Sequence, residues 1–168
     1  MKAVYLLLFG LLSSSVLWGQ DTLLLNAVPE AGFYKTGTAV ELKASNTSAA
    51  IYYTTNGSRP SSQSRRYQGP ILVDSTAIIK AFAVSNGKKS AILTNTYFIG
   101  EDSITLPVLS LSIQPYVLFD PVRGLFKRGP SASSKFPHKG ANYYSRKEYA
   151  SYIEIFETDQ ERVFNSDI

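Results

Sequence analysis

The stretch that decides the fold runs Ile51-Tyr52-Tyr53-Thr54-Thr55-Asn56-Gly57-Ser58-Arg59-Pro60. Its first part alternates, so Ile51 and Tyr53 share one face of an extended segment. Asn56-Gly57 follows, and a pair of this type readily adopts the positive φ angles that a tight hairpin turn requires. The stretch therefore predicts a half-buried strand over residues 50–54 that ends in a tight turn.

Segments on either side of this stretch alternate in the same way. The alternation places Val40 with Leu42 on one face and Ile51 with Tyr53 on another, and it predicts that Ile79, Ala81 and Ala83 face the core. Such runs recur about 8 to 15 residues apart with turn residues between them, which is typical of a small sandwich. Gly69-Pro70 opens one strand, Asn86-Gly87 separates two others, and Pro60 to Arg66 reads as a polar loop. We therefore predict a mainly β protein, with an immunoglobulin-like β-sandwich over residues 21–100.

The residue types exclude several kinds of chemistry. Cysteine is absent, which removes disulfides, thiolate metal sites, a cysteine nucleophile and a lipid-modified cysteine. His138 is the single histidine, so a catalytic triad or a multi-histidine metal site is disfavoured, and a solvated loop position is favoured. The net charge of +4 is too mild to indicate a nucleic-acid partner.

The first residues have the pattern of a secretory signal peptide. Lys2 supplies a positive start, residues 4–12 form an apolar core, and small Gly19 suits a cleavage site, so residues 1–19 are predicted to be removed. The alternative is an uncleaved anchor, but the apolar stretch is short for a span and serines interrupt it. We expect an exported protein (periplasmic, cell-surface or secreted) with no membrane partner after cleavage.

Several motifs of the first region occur in an order that resembles a known family. The motif and turn residues that carry the likeness are Tyr53, Asn56, Gly57, Pro60, Tyr67, Gly69 and Pro70, joined by Pro29, Gly32, Tyr34 and Lys80-Ala81. Over about residues 25–98 the chain resembles the chitobiase/β-hexosaminidase C-terminal domain, an immunoglobulin-like module. Asn56 stands where that family usually has Asp, so a role that needs a carboxylate there is in doubt.

The motif allows two interpretations. Tyr52 and Arg59, together with the serine-rich loop that follows, could stack on and bind a sugar ring, which would make a cell-wall or extracellular polysaccharide the partner. The alternative is that the motif tyrosines, glycines and prolines build the edge of the core and its turns, since strand tyrosines are most often packing residues. In that case the sandwich is a structural spacer.

The second region, residues 104–168, is predicted to be an incomplete, β-rich α+β segment. Residues 103–113 read as a strand with Pro107 near its start, residues 114–119 as a helical turn, and residues 149–156 as an alternating strand with Tyr152, Glu154 and Phe156 on one face. Glu154 and Glu157 then point to opposite faces, which disfavours a glycosidase pair.

Charge is divided sharply within the second region. Residues 121–147 contain no acidic residue and seven basic ones: Arg123, Lys127, Arg128, Lys135, Lys139, Arg146 and Lys147. Residues 148–168 are mainly acidic. The favoured interpretation is a solvated basic loop whose charges pair with the acidic stretch. The alternative is that the basic residues bind phosphate or an acidic protein.

The second region also resembles a family. The matching residues include Leu106-Pro107-Val108-Leu109-Ser110-Leu111, Leu118-Phe119-Asp120, Gly124-Leu125-Phe126 and Ile153-Glu154-Ile155-Phe156-Glu157. This segment is similar to the N-terminal part of the CotH kinase family of atypical protein kinases. The resemblance implies ATP and a divalent metal for a full-length protein, whose binding residues would lie beyond Ile168, in downstream domains of the same protein. We expect no catalytic, cofactor-binding or metal-binding residue, and hence no cofactor, in this chain, because its glycines are too dispersed for a phosphate-cradling loop.

Overall fold

The computed structural model describes residues 22–101 and 104–168, so the predicted signal peptide lies outside the described residues. The described chain is mainly β, as predicted. In chain order its strands are β1 Leu25–Val28, β2 Gly32–Tyr34, β3 Thr38–Ala44, β4 Ala50–Thr54, β5 Arg65–Arg66, β6 Ile71–Val73, β7 Ala77–Ser85, β8 Lys88–Lys89, β9 Leu93–Ile99, β10 Val108–Ile113, β11 Ser151–Phe156 and β12 Arg162–Asp167. One short helix, α1 Pro115–Phe119, and a 3-10 turn at Asn142–Tyr144 complete the described elements.

Two sheets face each other to form the sandwich. Sheet I has the strand order β1-β3-β6, and sheet II has the order β2-β9-β7-β4-β5 with β8 paired to β7. The strands pair antiparallel except for β2 and β9, which run parallel. The side chains buried between the sheets include those assigned from the alternation, namely Val40, Leu42, Ile51, Tyr53, Ile79, Ala81 and Ala83. The period-2 pattern therefore grouped these seven correctly, whereas other core residues, such as Leu25, Ile71 and Tyr97, were not assigned from it.

The two predicted Asn-Gly turns differ in the structure. Asn86 and Gly87 have φ angles of 50° and 75° and join β7 to β8 in a tight hairpin, as predicted. At Asn56-Gly57 the predicted tight hairpin is wrong, because only Gly57 has a positive φ, of 73°. Asn56 instead forms a parallel β-bridge with Ile78, and the Gly57 N–H donates to the Ile78 carbonyl at 3.1 Å.

The chain after this bridge takes a longer path back to the sheet. Strand β5, Arg65–Arg66, pairs antiparallel with Tyr52 and Tyr53 at the edge of sheet II. The predicted polar loop over residues 60–66 is therefore a loop that ends in a short strand. A two-residue strand carries no detectable period, so only the tertiary pairing shows it.

Residues 104–168 add a third layer to the sandwich. Sheet III has the order β10-β11-β12 and is antiparallel throughout. Strand β10 begins directly after Pro107, later than the predicted start at residue 103. Tyr152, Glu154 and Phe156 share one face of β11, as predicted, and the structure shows that this face is buried. That face covers the outer side of sheet II, where Phe156 meets Phe33 and Phe98 edge-on at centroid distances of 5.6 and 5.4 Å.

Between β10 and β11 the chain is largely irregular. It contains α1, the 3-10 turn and a series of hydrogen-bonded turns. Within residues 22–101 and 104–168, no helix has the length and apolar character needed to cross a bilayer.

Candidate functional site

A concave surface opens at the edge of the sandwich where β5 of sheet II faces β6 of sheet I. Its main cavity has a volume of about 520 Å³, and an adjoining one of about 280 Å³ continues along the loop after β4. The residues common to both cavities are Tyr53, Thr55 and Arg65. We call this continuous surface the edge cleft.

Pairing between β4 and β5 builds the centre of the edge cleft. Tyr53 is paired with Arg65, and the Arg65 guanidinium carbon lies 6.0 Å from the centre of the Tyr53 ring. A cation at this distance is attracted by the negative face of the ring. Tyr67 contacts Tyr53 edge-on at 6.4 Å, and Tyr53 itself is buried. The core therefore fixes the ring, while Arg65 is exposed to a ligand.

Polar groups surround this centre. Thr55, Asp74, Ser75 and Thr76 line the main cavity and Ser64 lines the adjoining one, which supplies hydroxyl groups and one carboxylate. Hydroxyl donors and carboxylate acceptors beside an aromatic ring are the groups that a sugar can use, because its hydroxyls both donate and accept hydrogen bonds.

The loop after β4 is held by its own hydrogen bonds. Asn56 Oδ1 accepts from the Ser58 N–H at 3.1 Å and from Ser58 Oγ at 2.6 Å, and Thr54 Oγ1 donates to the Ser58 carbonyl at 2.6 Å. The amide oxygen of Asn56 therefore acts in a local turn. An aspartate in its place would accept the same two bonds.

The structure places the predicted glycan contacts elsewhere. Tyr52 lies on the opposite face of β4 from Tyr53, where it stacks on Phe82 with a centroid distance of 5.6 Å and an interplanar angle of 24°. Arg59 is exposed, and its backbone N–H donates to Gln114 Oε1 at 3.0 Å. Within the described part of the chain, no hydrogen bond or ring contact joins Tyr52 to Arg59.

The motif residues lie in and around the edge cleft. Tyr53, Asn56 and Pro70 line it, and Gly57, Pro60, Tyr67 and Gly69 belong to the chain segments that form it. Sequence reasoning missed Thr55, Arg65 and Asp74. The sequence held no periodic signal for them, because Arg65 comes opposite Tyr53 only through the pairing of the two-residue strand β5 with β4.

A second polar site lies at the junction of sheets II and III. The Glu154 carboxylate is fully buried and accepts from Arg162 Nη1 at 3.0 Å and from the Thr96 N–H at 3.4 Å. The hydroxyl of Thr96 donates to the other oxygen of Glu154, so Ser110 Oγ, at 2.7 Å, donates to Thr96 Oγ1. Arg162 also donates to Asn95 Oδ1 at 2.8 Å. We call this cluster the junction network.

The junction network ties the third layer to a free part of β9. Strand β2 pairs only with residues 97–99 of β9, so the Thr96 N–H would otherwise be left without a strand partner. Glu154 satisfies this donor, and Arg162 balances the buried charge. A buried carboxylate is tolerated only when it is paired and hydrogen-bonded in this way.

Burial also affects ionisable groups beside this network. Lys80 lies in the outer face of sheet II with its ammonium 6.0 Å from the centre of the Tyr152 ring. Desolvation lowers the pKa of Lys80, although the nearby charges of Asp167 and Glu154 oppose the effect. Burial raises the pKa of Tyr152, whose hydroxyl accepts from Asn165 Nδ2 at 2.7 Å. Within residues 22–101 and 104–168, no three histidine or acidic side chains come together in a way that could hold a metal ion.

Comparison with known families bears on the sandwich alone. Residues 29–95 match the family model of the chitobiase/beta-hexosaminidase C-terminal domain. The match covers about two fifths of the chain, includes most of the sandwich and ends before residue 104. Over these residues the chain is thus similar to the chitobiase C-terminal domain, as its motifs predicted. No curated protein matches the chain.

Proposed function

We propose that this protein is an exported modular protein whose sandwich binds a cell-wall or extracellular polysaccharide in the edge cleft. The observation that carries this proposal is the arrangement of Arg65 against Tyr53 within a polar cleft of about 520 Å³. The similarity of the sandwich to a domain of carbohydrate-active enzymes supports it.

The chemistry of the cleft indicates how a sugar would bind. Arg65 offers several N–H donors in a fixed plane, and Asp74 offers carboxylate acceptors across the main cavity. Thr55 and Ser75 can bridge to further hydroxyls. Because Tyr53 is buried in the core, its ring is already in place before a ligand arrives, and the Arg65 guanidinium beside it stays exposed to form the hydrogen bonds.

Two adjacent arginines provide the test. Arg65 lines the edge cleft, whereas Arg66 is paired with Tyr52, so its side chain projects toward the opposite face of the sheet. We expect Arg65→Ala to weaken retention on insoluble chitin or peptidoglycan by about tenfold, the loss of one charged hydrogen-bonding group. Arg66→Ala is the matched control and is expected to leave retention unchanged.

Two other outcomes of the retention assay would contradict binding in the edge cleft. If Arg66→Ala lost retention and Arg65→Ala did not, the sugar would lie on the Tyr52 face. If the unsubstituted protein were retained no better than an unrelated sandwich of similar charge, the polysaccharide proposal would be wrong and the spacer role would be favoured.

A second role is supported by the junction network. We propose that residues 104–168 begin a CotH-like kinase domain and that the sandwich presents this domain in a fixed orientation. The buried pair of Glu154 and Arg162 supports this role, because it holds the third layer to the sandwich. The coding sequence after Ile168 tests it, since a continuation without lysine and carboxylate residues suited to nucleotide and metal would remove its basis. We expect residues 1–168 alone to show no ATP hydrolysis.

A further inference from the structure

The irregular chain between β10 and β11 forms a compact projection that the edge cleft does not involve. Backbone N–H groups of Leu125 and Phe126 donate to the carbonyls of Val117 and Leu118 at 2.8 and 2.9 Å. Asn142 Nδ2 donates to the carbonyls of Val122 and Gly124 at 2.8 and 3.1 Å, which closes the structure. We call residues 115–147 the basic lobe.

A structured loop forms the tip of the basic lobe. The Ser133 N–H donates to the Lys139 carbonyl at 2.8 Å, and His138 Nδ1 lies 2.9 Å from the Ser133 carbonyl. The Tyr144 hydroxyl ties the loop to the rest of the lobe by donating to the Pro137 carbonyl at 2.7 Å. Between these anchors Phe136 projects with 89% of its surface exposed.

The lobe carries positive charge that no acidic side chain among the described residues neutralises by a direct ion pair. None of the seven basic side chains of residues 121–147 forms an ion pair within 4.0 Å of an acidic group in the described chain. The expected pairing with the acidic stretch of residues 148–168 is therefore not observed. Asp120 lies at the base of the lobe, and its carboxylate already accepts hydrogen bonds from the backbone N–H groups of Val122 and Arg123 at 3.0 and 2.7 Å. These bonds lower the pKa of Asp120 and keep it charged.

Exposed apolar rings accompany this charge. The exposed aromatic residues of the lobe are Tyr116, Phe119, Phe126, Phe136, Tyr143 and Tyr144. Aromatic rings and basic side chains on one projection are the combination found where proteins rest on anionic bilayers, since the rings enter the interface and the cations meet the phosphates.

We propose that the basic lobe is a peripheral docking surface for an anionic lipid bilayer. Phe136 enters the boundary between headgroups and acyl chains, and Lys135 and Lys139 beside it in the tip loop meet lipid phosphates. An anionic polysaccharide is the other partner that these basic side chains could bind. The lipid surface fits better because a phenyl ring that is 89% exposed at a tip can leave water for the boundary between headgroups and acyl chains while the cations beside it stay at the phosphates.

This proposal differs from the expectation drawn from the sequence, which was that no membrane partner remains after signal cleavage. The two concern different kinds of contact. The sequence expectation concerned a segment that spans the membrane, whereas the basic lobe would lie on a bilayer without crossing it.

Vesicle sedimentation tests the proposal. The protein should begin at Gln20, because the apolar residues 1–19 would bind vesicles by themselves, while the described core begins only at Leu23. We expect binding to vesicles of equimolar phosphatidylcholine and phosphatidylglycerol, little binding to phosphatidylcholine alone, and loss of binding at high salt.

Two phenylalanines provide the matched variants. Phe136→Ser is expected to weaken vesicle binding by about tenfold, the lower end of what burying one phenyl ring contributes. Phe164→Ser changes another exposed phenylalanine, on β12 outside the lobe, and is expected to leave binding unchanged. Because Phe136 is so exposed, its loss should not alter the circular dichroism of the protein.

Three outcomes would overturn the proposal. One is equal binding to neutral and anionic vesicles, and another is an equal effect of Phe136→Ser and Phe164→Ser. The third is binding to soluble dextran sulfate without binding to anionic vesicles, which would identify the lobe as a polysaccharide surface. Retention on chitin through Arg65 is measured separately, so either result can fail without the other.

Discussion

Replacing Glu154 should destabilise the protein more than almost any other polar substitution. Its carboxylate is fully buried and receives three hydrogen bonds, from Arg162 Nη1 at 3.0 Å, the Thr96 N–H at 3.4 Å and the Thr96 hydroxyl. Glu154→Ala leaves the guanidinium of Arg162 without its main counter-charge and the Thr96 N–H without an acceptor. Breaking a buried pair from one side typically costs about 3 to 5 kcal/mol.

Two further variants separate charge from shape. Glu154→Gln keeps the size and one acceptor, so we expect a smaller loss of about 2 kcal/mol, the contribution of charge to such bonds. Glu154→Met combined with Arg162→Met removes both charges, and we expect it to be at least as stable as either single variant. Glu157→Gln is the matched control at an exposed position of the same hairpin, with an expected change under about 0.5 kcal/mol.

Urea unfolding followed by circular dichroism measures these free energies. A loss of about 4 kcal/mol is a large part of the roughly 5 to 15 kcal/mol that holds an ordinary domain together. If Glu154→Ala cost no more than Glu157→Gln, the junction network would not hold the third layer in place. The presentation role would then lose its support as well.

Three other predictions concern stability. Ser112 Oγ is buried and has no hydrogen-bond partner within the described residues, whereas Ser110 Oγ bonds to Thr96. In urea unfolding, Ser112→Ala should therefore be neutral or stabilising, while Ser110→Ala should cost about 1 kcal/mol. The reverse order of these two effects would contradict the assignment. Gly57 has a φ of 73°, so Gly57→Ala should cost about 1 kcal/mol of stability through backbone strain. A Cβ added at Gly69 meets no atom within 4 Å, so Gly69→Ala should cost almost nothing. Equal effects of the two substitutions on the urea midpoint would refute the argument. Burial raises the pKa of Tyr97 from 10.0 to about 12, so the protonated form is favoured in the folded state and stability should fall as pH rises from 10 towards 12. Tyr97→Phe should flatten that fall in unfolding measurements across the same pH range, and an unchanged slope would count against it.

The sequence alone was sufficient for the sandwich. Val40 and Leu42 in β3 and Ile79 in β7 alternate with outward neighbours, and a period of two gives each strand one apolar face whatever the rest of the chain does. The Asn86-Gly87 hairpin and the likeness to the chitobiase C-terminal domain are local in the same sense, because each depends on residues close together in the chain.

The edge cleft and the third layer were decided by tertiary structure. Arg65 reaches Tyr53 only because β5 pairs with β4 after a loop, and a two-residue strand has no period that a sequence could show. Asn56-Gly57 carried a correct local preference for positive φ at Gly57, but its bridge to Ile78 replaced the tight hairpin. The alternation of β11 predicted that Glu154 would share a face with Phe156, but not that this face would be buried. The sequence determined which side chains share a face, and the packing of distant segments determined which faces meet, because pairing across a long separation depends on the whole chain.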